Sequence, residues 1–259
     1  MTGDPRAEVA RFYDLDREPL KDVPFYASCI TNENARILEL GCGTGRVTLP
    51  LSDFCRFIHG IELSEAMLSI CRAKLREAAI SPSKVLVDHG DITHFELGKT
   101  FDLIIAPYRV LQNLETDDHV AGLFRCIGAH LSRRGTCILN VFNPRYPDRE
   151  TLVRAWSKTD EVLDWEVATG TQVVTCHHRK GKVDRENLVL YPELIYRVRS
   201  GGDLVEQVVF NLVMRCYFPE EFESLIKDHG FEIVGRWGGY GDEAYGAGPE
   251  LVIQFRKTA

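Results

Sequence analysis

The hydrophobic pattern of this chain changes rhythm near Asn143. Before that point, short apolar runs predict strands at Arg36–Leu40, Phe57–Glu62 (FIHGIE), Val85–Val87, Phe101–Ala106 (FDLIIA) and Cys137–Phe142. The fourth is apolar enough to be buried on both faces. The stretches between them carry a helical period. Arg46 to about Phe54 reads as a helix. Ser64 is a good N-cap, with Glu65 in the first turn near the positive helix end. Met67, Leu68, Cys71 and Leu75 then share one face. Val120, Leu123, Phe124, Ile127 and Leu131 do the same over 116–131, and Arg134-Gly135 predicts the turn into the fifth strand. Strands alternating with helices imply βαβ units and a parallel sheet.

Beyond Asn143-Pro144 the texture is β-rich. TQVVTCHHR, NLVLYPELIYRV and DLVEQVVFNLVMRCYF predict a meander over 171–213, joined by RKGKVDR and RSGGD, whose glycines suit turns. Pro219–His229 predicts a helix ended by Gly230. Phe231–Trp237 and Glu250–Arg256 close the chain as two strands, joined by the loop GGYGDEAYGAGP.

Composition narrows the class. The 259 residues suffice for one large domain with an elaboration, and 44% hydrophobic residues are ample for a core. A net charge of −7 with scattered Lys and Arg argues against non-specific nucleic-acid binding. No apolar run approaches the roughly 20 residues that span a bilayer. The start MTGDPRAEVARFYD lacks a signal-peptide core. Eight cysteines without a CxxC pair read as reduced, mostly buried thiols. The expectation is a cytoplasmic protein with no membrane or nucleic-acid partner.

The chemistry concentrates in ILELGCGTGRVTLPL, where Gly41, Gly43 and Gly45 alternate after an apolar strand. Such a loop lets a ligand approach bare backbone. The spacing differs from the dinucleotide GxGxxG, since Arg46 stands where the third glycine belongs, which disfavours a nicotinamide oxidoreductase. No Gly-Lys-Ser/Thr follows, so a Walker loop is excluded. Glu62 ends the second strand, 23 positions after Glu39, and can accept both ribose hydroxyl protons of an adenosine lying across the strand ends. Asp91 follows the third strand, placed to accept from an adenine amino group.

On these residues the chain resembles the class I S-adenosylmethionine-dependent methyltransferases. ELGCGTGR, GIELS, HGDI, FDLIIAPYRVLQNL and LSRRGTCILNVFNP look like the family's five ordered motifs. FYDLDREPLKDVPFY and YFPEEFESLIKDHGFEIV look like a subgroup that modifies small molecules and carries a β-sheet insertion after the fifth strand. The resemblance implies an α/β fold: a Rossmann-like, seven-stranded, mostly parallel sheet with one antiparallel strand, plus an antiparallel β-sheet insertion. Residues 1–35 would be an N-terminal lid, 36–143 and 214–259 the cofactor-binding core, and 144–213 the insertion, which also offers a homodimer contact. The lid would be mobile without ligand and ordered with it.

The implied activity is methyl transfer from S-adenosyl-L-methionine to an N, O or S atom of a small-molecule acceptor, with no metal. Methylation of a protein or RNA, or non-catalytic cofactor binding, are the alternatives. Glu39 would balance the cofactor's ammonium, and Arg46 with the helix N-terminus would hold its carboxylate. Gly41, Gly43, Leu63, Met67, Ile92, Pro107 and Leu111 would join Glu62 and Asp91 in contacting it. Tyr13 and Tyr26 would reach the cofactor tail or the substrate from the lid. Tyr108, Arg109, Gln112 and Asn113 follow the fourth strand, at the edge where ligands bind in such sheets. Tyr13, Tyr108 and His178 are the catalytic candidates; Arg109, Gln112 and Tyr240 are the substrate-binding ones. In Cys176-His177-His178 the adjacent histidines point to opposite faces, so the two do not share one metal, and one can face the cleft as a base.

Overall fold

The structure is a computed structural model describing residues 3–4, 6–16, 22–156 and 160–258; residues 17–21 of the expected lid lie outside it. A 3-10 turn at Ala10–Leu15 precedes α1 (Asp22–Ser28). The first half then runs β1 (Arg36–Leu40), α2 (Thr48–Leu51), β2 (Phe57–Glu62), α3 (Glu65–Glu77), β3 (Val85–His89), β4 (Phe101–Ala106), α4 (Asp117–His130) and β5 (Leu131–Phe142). The second half holds α5 (Arg149–Trp156), β6 (Glu161–Thr169), β7 (Gln172–Asp184), β8 (Val189–Ser200), β9 (Asp203–Asn211) and β10 (Met214–Arg215). It closes with α6 (Pro219–Asp228), β11 (Phe231–Trp237) and β12 (Glu250–Lys257).

The main sheet has the order β11-β12-β5-β4-β1-β2-β3. β12 runs antiparallel to both its neighbours, and the other pairs are parallel. This is the expected seven-stranded sheet with one reversed strand. Its strands are apolar on both faces because helices cover both. Leu38, Ile104 and Leu139 face a cluster with Leu123, Ile127, Phe222 and Phe255. Their sequence neighbours Ile37, Ile105 and Ile138 face Ile58, Leu68 and Cys71 on the other side. Each such buried aliphatic side chain contributes about 1.5–3 kcal/mol.

Caps set several helix ends. Ser64 Oγ accepts from the Met67 N–H at 3.2 Å, and Thr116 Oγ1 from that of His119 at 3.3 Å. Pro219 opens α6, where its missing donor costs nothing, and Glu221 accepts from the Phe218 N–H at 3.0 Å.

Three local expectations are corrected. The helix expected over 46–54 is the single turn α2 followed by a 3-10 turn at Ser52–Phe54, since Gly45 and Arg46 stay in the glycine loop. Arg134-Gly135 is not a turn between elements: β5 starts at Leu131, and its register against β4 slips between Phe101 and Leu103. A Cβ on Gly135 would lie 2.8 Å from the Phe101 carbonyl, so glycine serves a close approach there. RKGK at 179–182 lies inside β7, which bulges between Arg179 and Lys182. A side chain at Gly181 would run into the Tyr191 carbonyl.

The second sheet is antiparallel, ordered β10-β8-β7-β6 with β9 also on β8. β6 and β10 extend the expected meander. The face bearing Val174, Cys176, Tyr196 and Val198 packs on Val9 and Phe12 of the N-terminal segment. The Phe12 ring stacks on Tyr196 at 4.8 Å, and Arg11 pairs with Glu206. The other side of that segment is tied to the glycine loop and α3, through Asp14 to Thr44 Oγ1 at 2.7 Å and Lys74 Nζ at 2.8 Å. The segment thus bridges the second sheet and the glycine loop.

Candidate functional site

Three glycines carry the loop after β1. Gly41, Gly43 and Gly45 have φ of 70°, 54° and 82°, a region costly for any other residue. A Cβ at Gly41 would meet Val110 at 2.8 Å, and one at Gly45 would meet Cys71 Sγ at 2.6 Å. Gly43 has the most room: a Cβ there would lie 3.5 Å from Met67 Cε, an ordinary contact. The loop hangs on β2: the Gly41 and Cys42 N–H groups donate to the Ile61 carbonyl at 2.8 and 3.0 Å. Glu62 Oε2 accepts from the Gly43 N–H at 2.9 Å, and Oε1 from the Ser64 N–H at 2.8 Å. Glu62 therefore shapes the loop directly.

Glu39 is the penultimate residue of β1, just before this loop, and is 2% exposed. Its Oε2 accepts from Thr48 Oγ1 at 2.6 Å. Burial pushes its carboxyl up to about 8, partly opposed by the Thr48 hydrogen bond and the nearby Arg46. Two buried hydroxyls lie close by, those of Tyr26 and Tyr240, with ring centroids 5.9 Å apart. Neither has a hydrogen-bond partner in good geometry among the described residues.

Arg46 does not point a free guanidinium into the site. Its Nη1 and Nη2 donate to the two oxygens of buried Asp22 at 2.9 and 2.7 Å, fastening α1 to the glycine loop. Its carbon Cζ also lies 5.6 Å from the Tyr108 ring centroid. Tyr13 meets Tyr108 edge-on at 6.3 Å. Burial pushes the Tyr13 phenol up to about 12, which makes it a hydrogen-bond donor near neutrality rather than a base.

After β4, Pro107 is buried and Tyr108 is 46% exposed. Tyr108 and Arg109 are both left-handed, with φ of 59° and 65°. Two of the substrate-binding candidates, Arg109 and Gln112, are held by partners within the protein. The Arg109 Nε donates to Glu250 Oε1 at 2.9 Å, and its Nη2 to the same oxygen, so the guanidinium is committed to β12. Gln112 is 1% exposed, donates to the Arg215 carbonyl at 2.7 Å and accepts from the Phe142 N–H at 2.8 Å. It ties β10 to β5. Leu111 and Met67 are buried, and Leu63 is exposed. Asp91 is exposed, and its Oδ1 accepts from the Thr93 N–H and hydroxyl, both at 2.8 Å; Ile92 is half-buried beside it. Asn113 donates weakly to the carbonyls of Arg109 and Val110, at 3.4 Å each.

On β7 the two histidines point apart. His177 Nδ1 lies 3.3 Å from Arg197 Nη1 on the face away from Phe12. His178 shares the face of Cys176 and meets Asp164 Oδ1 through Nδ1 at 2.6 Å. Asp164 reaches that face because β6 bulges between Leu163 and Trp165. Asp164 lies on β6, a strand the sequence pattern does not predict, and Asp22, Asn140 and Glu250 also lie outside the residues that the sequence singles out. Of these only Asp22 carried a signal, an acid at the start of an amphipathic stretch.

Residues 37–135 match the family described as "Methyltransferase domain". Among curated relatives, the dTDP-3-amino-3,6-dideoxy-alpha-D-glucopyranose N,N-dimethyltransferase of Streptomyces fradiae is 27% identical over 177 residues, 65% of this chain and 61% of that protein. The dTDP-3-amino-3,4,6-trideoxy-alpha-D-glucopyranose N,N-dimethyltransferase of Streptomyces venezuelae is 26% identical, covering 81% of this chain and 80% of its own. Among solved structures, the CcbJ methyltransferase of Streptomyces caelestis superposes with a TM-score of 0.76 at 23% identity, over 99% of this chain and 98% of that one. The S-adenosylmethionine-bound amino pentose methyltransferase CalS10 of Micromonospora echinaspora superposes at 0.71 with 20% identity, over 96% and 95%.

Proposed function

We propose that this chain is a class I S-adenosylmethionine-dependent methyltransferase whose acceptor is the amine of a small amino sugar. The observation that carries the methyl-transfer half is the glycine loop braced by Glu62 over the buried Glu39. The relatives named as dTDP-amino-sugar N,N-dimethyltransferases support the amine half.

The residues present fit the cofactor. The three glycines leave bare backbone, Glu39 is a buried acid whose neighbouring Arg46 is spent on Asp22, and Tyr26 and Tyr240 present buried hydroxyls without a well-aligned partner among the described residues. When bound, S-adenosylmethionine supplies a sulfonium methyl open to displacement by a lone pair. Glu39 would hold the ammonium, Glu62 the ribose hydroxyls and Asp91 the adenine. Tyr26 and Tyr240 would donate to the tail, a role that Arg46 cannot take while both its ends hold Asp22. Tyr13 and Tyr108 would wall the acceptor and exclude water. His178 would take the proton of the acceptor's ammonium, exposing its lone pair, with Asp164 holding the ring through Nδ1 and leaving Nε2 for the proton.

Two measurements follow. In the ligand-free protein Glu39 stays protonated up to about pH 8. An ammonium beside it favours the carboxylate, so S-adenosylhomocysteine binding at pH 7 should release a proton. Its affinity should rise with pH until about 8 and level off beyond. Calorimetry in buffers of different ionisation enthalpy reads the release, which should vanish in Glu39→Gln. No release from the wild type would separate Glu39 from the ammonium.

The second is a panel of matched acceptors, amino sugar nucleotides beside their hydroxyl counterparts, followed by formation of S-adenosylhomocysteine and product mass. Turnover of the amines alone is expected. Turnover of the hydroxyls alone would refute the amine assignment, and cofactor binding without any turnover would favour a non-catalytic binder.

A further inference from the structure

Four hydrogen bonds form a closed ring beside the acceptor side of the site. The Arg109 N–H donates to Asn140 Oδ1 at 3.2 Å. Asn140 Nδ2 donates to Glu250 Oε2 at 2.9 Å. Glu250 Oε1 accepts from Arg109 Nε at 2.9 Å and from Nη2 of the same guanidinium. The ring joins the loop after β4, the C-terminal end of β5 and the start of β12. Asn140 and Glu250 are both buried, at 1% and 8% exposure.

What the ring holds is unusual. Tyr108 and Arg109 are consecutive non-glycine residues in the left-handed region, a conformation that persists only when its surroundings over-determine it. The ring supplies that determination at Arg109, fastening both its backbone N–H and its side chain. The consequence falls on Tyr108. Its ring is turned against Tyr13 and the Arg46 guanidinium, toward the N-terminal segment and the glycine loop.

We propose that Asn140 and Glu250 are positioning residues: through the Arg109 ring they set the place of Tyr108 and so the wall against which the acceptor lies. The role of Tyr108 as that wall rests on the function proposed above. The placement of its ring does not.

The test uses the full chain, with Glu250→Gln and Arg109→Gly as variants. Glycine accepts the left-handed conformation, so Arg109→Gly removes the ring without asking a strained backbone to fold. The first readout is the Tyr108 ring signal in protein labelled with carbon-13 tyrosine, assigned by its loss in Tyr108→Phe. One sharp signal is expected in the wild type, and a shifted or exchange-broadened one in both variants. An unchanged signal in both overturns the proposal, whether or not an acceptor has been found. The second readout is kinetic, with dTDP-3-amino-3,6-dideoxy-glucose as acceptor. Glu250→Gln should lower kcat roughly 10-fold, the scale of lost positioning, while S-adenosylhomocysteine affinity stays within about 2-fold. In a Tyr108→Ala background the same change should cost nothing further. An equal loss in both backgrounds would mean that Glu250 acts elsewhere. A wild type that binds no S-adenosylhomocysteine and methylates no acceptor would instead count against the function, leaving the ring signal to decide the placement.

Discussion

Replacing Asp22 with alanine should lower the unfolding free energy by about 2–3 kcal/mol. Removing one partner of a buried pair costs roughly 3–5 kcal/mol, because the other charge is left stranded. Here Asp22 is fully buried, whereas the Arg46 side chain is 28% exposed and can partly rehydrate, which trims the loss. Asp22 also accepts from the Val23 N–H at 2.9 Å, so the first turn of α1 loses a partner as well. For a chain of this size the shift in Tm is about 4–10 °C. Urea and thermal unfolding of Asp22→Ala beside the wild type measure it. An unchanged Tm would mean that α1 is not anchored through this pair, and Tyr26 would lose its reason to sit over Glu39.

Glu62→Ala should weaken S-adenosylhomocysteine binding by about 1–3 kcal/mol, the scale of lost charged hydrogen bonds. The structure gives two routes to that loss. The carboxylate at the strand end is the proposed partner of the ribose hydroxyls. The same carboxylate holds the Gly43 and Ser64 N–H groups, so its removal leaves two backbone donors near the ligand without their acceptor. Asp91→Ala should act in the same direction and more weakly, since Asp91 is exposed and braces only its own turn through Thr93. Calorimetric affinities equal to wild type for both variants would contradict the adenosine placement.

Much of this was legible in the sequence because its signals are local. An apolar run followed by alternate glycines predicts a strand and an open loop, and all three glycines take positive φ. Ser64 behaves as the cap its side chain suggests. The reversed last strand follows from the hairpin of β11 and β12. The illegible part is long-range. Arg109 looked like a free cation at the sheet edge, but its partner is Glu250, far along the chain and adjacent only because β12 lies against β5. Gln112 likewise spends both ends of its amide on backbone from β5 and β10. Gly181 reads as a turn residue by type, and only the neighbouring strand shows that it makes room for the Tyr191 carbonyl. Asp164 became a partner for His178 through a bulge in a strand with no clean alternation.

The most direct test is a crystal structure of the chain with S-adenosylhomocysteine. The ribose hydroxyls should lie within hydrogen-bond distance of Glu62, the adenine beside Asp91 and Ile92, and the amino group at Glu39, with the tail along Gly41–Gly45 beneath the Tyr26 and Tyr240 hydroxyls. A ligand bound anywhere else, or one whose ammonium and ribose avoid both glutamates, would contradict the account.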